Sequence, residues 1–159
     1  MADDNLGKDA ERKIREWLDR PSDGYSFDRF YDQLTGFYQT SRNICDFHLY
    51  KYPNSYYIES KATWEPRFDF VLIQPHQLDG LLEKSKVPGC YGWFIVLFAT
   101  YRRAFRFNAT DIKLLSDSGK KSLNIEKIDK WAIPYKELST IPNNRKKLLD
   151  YTGEIEDLL

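Results

Sequence analysis

Ile44-Cys45-Asp46-Phe47-His48-Leu49-Tyr50-Lys51-Tyr52-Pro53-Asn54-Ser55-Tyr56-Tyr57-Ile58-Glu59-Ser60-Lys61-Ala62-Thr63 reads as two extended runs joined by a turn. Ile44–Tyr52 is rich in β-branched and aromatic residues, and so is Tyr56–Thr63. Pro53-Asn54-Ser55 is turn chemistry, with Asn54 suited to a left-handed conformation. Side chains alternate along a strand, so Glu59 and Lys61 share a face. A two-residue loop at Pro53-Asn54 puts Asp46 opposite Lys61 and His48 opposite Glu59, and all four then point the same way. A slip of one residue would turn Asp46 to the other side of the sheet.

Two carboxylates and a lysine on one sheet face form a minimal set for holding a divalent metal against a phosphodiester. Mg²⁺ takes oxygen ligands in near-octahedral geometry and keeps several waters. Asp46 and Glu59 can supply two such oxygens, and the carbonyl of Ser60 could add a third. A metal there would lower the pKa of a bound water and stabilise charge in the transition state. Lys61 could orient that water or neutralise charge at the phosphate. Glu-x-Lys on a strand is also an ordinary surface ion pair, which contributes little. The compatible spacing of Asp46 favours the chemical reading.

Outward from the hairpin, the pattern alternates helices and strands. Lys8–Leu18 reads as a helix, with Ala10, Ile14, Trp17 and Leu18 forming an apolar stripe. Arg20-Pro21 and Ser22-Asp23-Gly24 stop it. Tyr25–Thr40 is mixed and aromatic, consistent with a short helix and a strand. Phe68–Ile73 is a short apolar stretch. Pro75 then suits the first turn of a helix that reaches about Lys86 on a face of Leu78, Leu81 and Leu82. Gln77 lies one turn before Leu81, so it faces inward near the helix N-terminus, where an anion such as phosphate is favoured. Local capping by His76 and Gln77 is an equal alternative. Pro88-Gly89 marks a turn. Trp93–Ala99 is a continuous apolar run, as in a strand covered on both faces. Ala104–Phe107 reads as another strand, and Asn108-Ala109-Thr110-Asp111 as a helix start. A mixed region with Trp131, Ile133 and Pro134 and a polar tail follow. The expected class is α/β, with helices packed on a mixed β-sheet. A single domain is expected over residues 1–159.

Composition supports a folded chain: 159 residues, 42% hydrophobic and 16% aromatic. Cys45 and Cys90 are too few and too far apart for a disulfide framework, and a reducing cytoplasm is the simplest setting. Met1–Asn5 lacks a signal pattern, and Trp93–Ala99 is too short to span a bilayer, so no membrane association is expected. Formal net charge is zero, so no strongly basic nucleic-acid surface is announced. Arg102-Arg103, Lys120-Lys121 and Arg145-Lys146-Lys147 read singly as solvated faces; together they could make a positive rim around an acidic centre.

The set Asp46…Glu59-Ser60-Lys61 resembles the PD-(D/E)XK nuclease pattern, with Cys45 in place of its leading proline. More closely, the chain resembles RecU-type Holliday-junction resolvases and their phage relatives. The likeness runs through Gly7-x-x-x-Glu11, the metal motif, Phe68…His76-Gln77, Gly92–Thr100 and Ser118-Gly119-Lys120-Lys121-Ser122, although the last could equally be a plain polar loop. The resemblance implies a restriction-endonuclease-like core and a homodimeric endonuclease that uses Mg²⁺ or Mn²⁺. It would act on branched DNA in recombination or repair, by paired nicking through metal-activated water. Asp46 and Glu59 would be metal ligands and Lys61 the catalytic lysine. Glu11 would sit at the edge of the site, unless it is a solvated helix glutamate. Gln77 would position metal water or phosphate. His48 shares the Asp46 face, where a hydrogen-bonding or DNA-facing role is expected rather than ligation. RecU-type enzymes carry a long basic projection where Pro21–Cys45 here is short and not notably basic. Nuclease work of other specificity (restriction, repair or phage DNA processing) and non-catalytic nucleic-acid binding on the same fold are the competing readings.

Overall fold

The computed structural model describes residues 3–20, 24–31, 34–35, 38–39, 42–143 and 148–159. Helix α1 (Asp3–Leu18) is followed by strand β1 (Ser26–Arg29) and the short pair β2 (Leu34–Thr35) and β3 (Tyr38–Gln39). The hairpin comes next, as β4 (Phe47–Lys51) and β5 (Asn54–Thr63). Strand β6 (Arg67–Asp69), a 3₁₀ turn and helix α2 (Pro75–Ser85) lead to β7 (Cys90–Phe98), which returns as β8 (Arg103–Asn108). Helix α3 (Ala109–Asp117), strands β9 (Ser122–Asn124), β10 (Lys136–Leu138), β11 (Thr140–Asn143) and β12 (Leu148–Tyr151), and helix α4 (Ile155–Leu158) complete the order.

Six strands form the main sheet, in the order β1-β4-β5-β7-β8-β10. Only β5 and β7 run parallel; the other neighbours are antiparallel. A parallel pair needs a crossover, and α2 supplies it. The expected class, a mixed sheet flanked by helices, is therefore what forms. Strand β7 shows why its run is apolar throughout. Trp93, Ile95 and Leu97 pack with α1 residues Leu6, Ala10 and Ile14, whereas Phe94, Val96 and Phe98 pack on the opposite face with Leu81, Ile112 and Leu115. Both faces are dry, so alternation between polar and apolar residues disappears. Helix α2 lies so close to β7 that a Cβ on Gly92 would come within 2.7 Å of the Leu81 carbonyl oxygen. Among the described residues no helix is long and apolar enough to cross a membrane.

Several local expectations differ from this arrangement. The turn of the hairpin falls at Tyr52-Pro53, not Pro53-Asn54, and Asn54 already belongs to β5 with no left-handed backbone. His48 consequently pairs with Tyr57 rather than Glu59. The offset is two residues, which preserves the face of every side chain. Helix α1 starts earlier than Lys8 because Leu6 extends the buried stripe by one turn. The described residues of Tyr25–Thr40 contain strands and no helix. The tail is not simply polar: β10 closes one edge of the sheet, and Leu148, Leu149, Tyr151, Ile155 and Leu158 are buried with α1. Its core positions are separated by charged residues, which hid the pattern.

Candidate active site

The register of β4 and β5 directs Glu59 and Lys61 toward the α2 side of the sheet. Asp46 sits at the bend just before β4, where its N–H donates to the Ile58 carbonyl at 3.0 Å. Its carboxylate accepts the Ser60 N–H at 2.8 Å. That bond ties the first acid to the strand carrying the second. A strand residue aims its N–H and its C=O at the same neighbour, so the Ser60 carbonyl faces the Asp46 side as well.

Glu59 is 3% exposed. Gln77 donates to it through Nε2 at 2.6 Å, and the Lys61 ammonium lies 3.1 Å away. Lys61 also donates to Gln77 Oε1 at 2.9 Å. The same Oε1 accepts the Gln74 N–H at 3.1 Å, completing a capping box at the start of α2. The capping expected of Gln77 is present, and its side chain also faces inward to the acid and the lysine. Capping fixes its backbone and one lone pair, and its amide then bridges the glutamate and the lysine.

Burial pushes the Glu59 carboxyl up to about 8, and the negative charge of Asp46 adds to the rise while Lys61 opposes it. Burial also raises Asp46, against the Ser60 N–H and the Lys61 charge. Two desolvated carboxyl groups in contact cannot both ionise at low cost, so they share a proton near neutrality. A divalent cation would replace that proton. Among the described residues no cluster of three or more His, Cys, Asp or Glu gathers that could hold a metal. Two carboxylates with carbonyl oxygen and water nevertheless suit the hard, water-retaining ions, and Mg²⁺ is commonly held by one or two carboxylates. The donor set fits such an ion.

Glu11 lines the same clefts as Asp46, Glu59 and Gln77. It is held by Arg29, 2.6 Å from its carboxylate. His48 packs on Tyr57 with the rings tilted and their centroids 4.8 Å apart, and burial pushes its pKa down. It packs within a ring column and takes no part in the acid cluster. Cys45, in the motif's proline position, is buried, with its thiol pushed up to about 12 by burial and by the neighbouring Glu59 and Asp46 charges. Phe68 is wholly buried core.

Arg102-Arg103 and Lys120-Lys121 do not line the clefts at the carboxylates, and Arg145-Lys146-Lys147 lies outside the described residues. The cations that line the clefts are Lys8, Arg29, Arg42, Lys61 and Arg67, and they are matched by the acids of the same lining. Arg29 and Phe30 line the cleft beside the carboxylates, and pattern reasoning missed both. They enter through the pairing of β1 with β4 and the Phe30 N–H bond to the Asp46 carbonyl at 2.8 Å, contacts with no local signal.

No family model matches the sequence, and no curated protein matches it. A solved structure of Archaeoglobus fulgidus Hjc, a Holliday junction resolvase from an archaeal hyperthermophile, is similar at a TM-score of 0.44. Sequence identity is 14%, over 66% of this chain and 78% of that one. At that level the likeness is one of chain trace, and the functional reading rests on the side chains.

Proposed function

We propose that the protein is a metal-dependent, structure-selective DNA endonuclease. The observation that carries this reading is the cleft set of Asp46, buried Glu59 and partly buried Lys61, with Gln77 bridging Glu59 and Lys61 and the Ser60 N–H holding Asp46. Two desolvated carboxyl groups in contact disfavour double ionisation, a cost that a bound divalent cation would offset. Asp46, Glu59 and the Ser60 carbonyl would hold Mg²⁺ or Mn²⁺, which supplies an activated water and stabilises charge on the phosphate. Ser60 N–H and Gln77 hold the two acids in place without reorganisation during the reaction. The Lys61 ammonium, fixed by Glu59 and Gln77, is positioned to neutralise a phosphate oxygen or to hold the attacking water. Glu11 and Arg29 close one side of the cleft.

A four-way junction, paired nicking and a homodimer with two sites belong to the same proposal. Labelled four-way junction, flap, linear duplex and single strand should be tested with Mg²⁺, Mn²⁺ or EDTA, with oligomeric state measured by sedimentation. Symmetric nicks confined to the junction support resolution. Equal cutting of linear duplex moves the assignment to a nuclease of other work. Asp46→Ala should abolish cleavage and leave DNA binding largely intact, because it removes a metal ligand and not a cation. Normal cutting by that variant would sink the site assignment.

A further inference from the structure

The carboxylates lie where two clefts meet, of about 640 and 660 Å³. Glu11, Asp46, Glu59 and Gln77 line both, so the clefts form one trench with the acid pair at its middle. A partly exposed aromatic ring stands on each side of that centre. Phe30 is 37% exposed in one cleft and Trp64 is 38% exposed in the other. The remaining tryptophans, Trp17, Trp93 and Trp131, are buried.

Both rings are fixed relative to the acids. The Phe30 N–H is bonded to the Asp46 carbonyl at 2.8 Å. The Phe30 ring is the outer layer of a column, stacked 6.4 Å from His48, which in turn lies on Tyr57. The Lys84 ammonium lies over the Tyr57 ring, 4.9 Å from its centroid. Trp64 follows Lys61 by three residues at the end of β5, and its carbonyl accepts the Thr100 hydroxyl at 2.6 Å. Two half-exposed rings on rigid backbone, one each side of the catalytic acids, offer flat apolar faces where a strand's bases would pass.

The lining of the trench is balanced in charge, which leaves the two rings as its distinguishing feature. Duplex binding rests mainly on cations at phosphates. Here the lining among the described residues has five acids and five bases. Arg29, Lys61 and Arg67 are paired with Glu11, Glu59 and Asp69. Stacking on aromatic rings is open to bases that are not enclosed in a duplex, because each then presents a free π-face. Resting on the nuclease reading, we infer that the cut strand is unpaired beside the scissile phosphate, its flanking bases stacking on Phe30 and Trp64. The two rings are then specificity-determining residues for single-stranded or locally opened DNA.

Binding can be read without cleavage, in EDTA, from intrinsic fluorescence, because Trp64 is the tryptophan open to solvent. A short mixed-sequence oligodeoxynucleotide should quench that emission. By anisotropy of a labelled strand, it should bind at least about tenfold tighter than the same sequence as duplex. Phe30→Ala and Trp64→Ala should each weaken single-strand binding by roughly tenfold to a hundredfold. Duplex affinity should fall far less than single-strand affinity, and both variants should remain folded by circular dichroism. Trp64→Phe should keep the affinity and lose the quenching. Equal or tighter duplex binding, or alanine variants that bind the single strand as the wild type does, would overturn the inference. If the wild type cuts duplex and the variants do so equally, the nuclease reading stands and the stacking inference falls. If no nucleic acid is bound or cut, both fall. Tighter binding of the same strand as RNA would overturn the assignment to DNA.

Discussion

Glu59 is a buried carboxyl with a second carboxyl against it, and its stability consequence has a definite sign. Its folded pKa is raised to about 8, above the ordinary glutamate value. The native state therefore holds a proton that the unfolded chain has lost, and stability falls as pH rises through that window. The metal-free protein should lose thermal stability between about pH 5 and 8, and added Mg²⁺ should restore it. Glu59→Gln mimics the protonated group: its amide oxygen still accepts from Gln77 and Lys61, and its NH₂ faces Asp46. That variant should be inactive yet at least about 1 kcal/mol more stable than metal-free wild type at pH 8, with the pH slope flattened. A calorimetric scan showing the same slope in both proteins would contradict this. Cys45 carries a second residue-level expectation. Its thiol is buried and held protonated, whereas Cys90 is partly exposed. A thiol reagent should label Cys90 in the native protein and Cys45 only after denaturation, as read by mass spectrometry.

The elements matter because each holds one part of the site at a fixed distance from the others. Strand β5 carries Glu59, Ser60 and Lys61, and α2 carries Gln77. The separation between them is set by Gly92 on β7, whose absent Cβ lets the Leu81 backbone approach. Gly92→Ala would place a methyl within 2.7 Å of backbone, which cannot yield as a side-chain tip can. The expected cost is about 1–3 kcal/mol of stability, measured by urea unfolding. Activity should drop further than the folded fraction does, because α2 must move and take Gln77 with it. The hairpin was legible because strand propensity, turn residues and alternation agree from Ile44 to Thr63. Its turn position was not, since two-residue offsets preserve all side-chain faces and differ only in which backbone groups pair.

For the whole molecule, the last residues cover the first helix. Trp17 donates to the Gly153 carbonyl at 2.7 Å and stacks on Tyr151 at 4.9 Å. Lys13, almost fully buried, pairs with Asp150. Helix α1 also carries Glu11, so the C-terminal segment braces one edge of the trench from the far side. Trp17→Ala should cost about 3–5 kcal/mol, measured by chemical denaturation. A variant that unfolds no more easily than wild type would show that this bracing is dispensable.

The sequence by itself determined the acids, the lysine, the face they share and the class of fold. Those depend on residue type and on periodicities of two and 3.6 residues, which are local and survive small errors of register. The tertiary structure alone decided that Gln77 bridges Glu59 and Lys61, that Arg29 holds Glu11, and that Phe30 and Trp64 flank the acids. It also decided that the segment after Gly119 supplies an edge strand and a cover for α1. Each of these is a contact between distant parts of the chain, set by how sheet order and helix packing close the molecule. No periodicity encodes such a contact. Asp46, Glu59 and Lys61 could therefore be read from 44–63, whereas the trench around them could not.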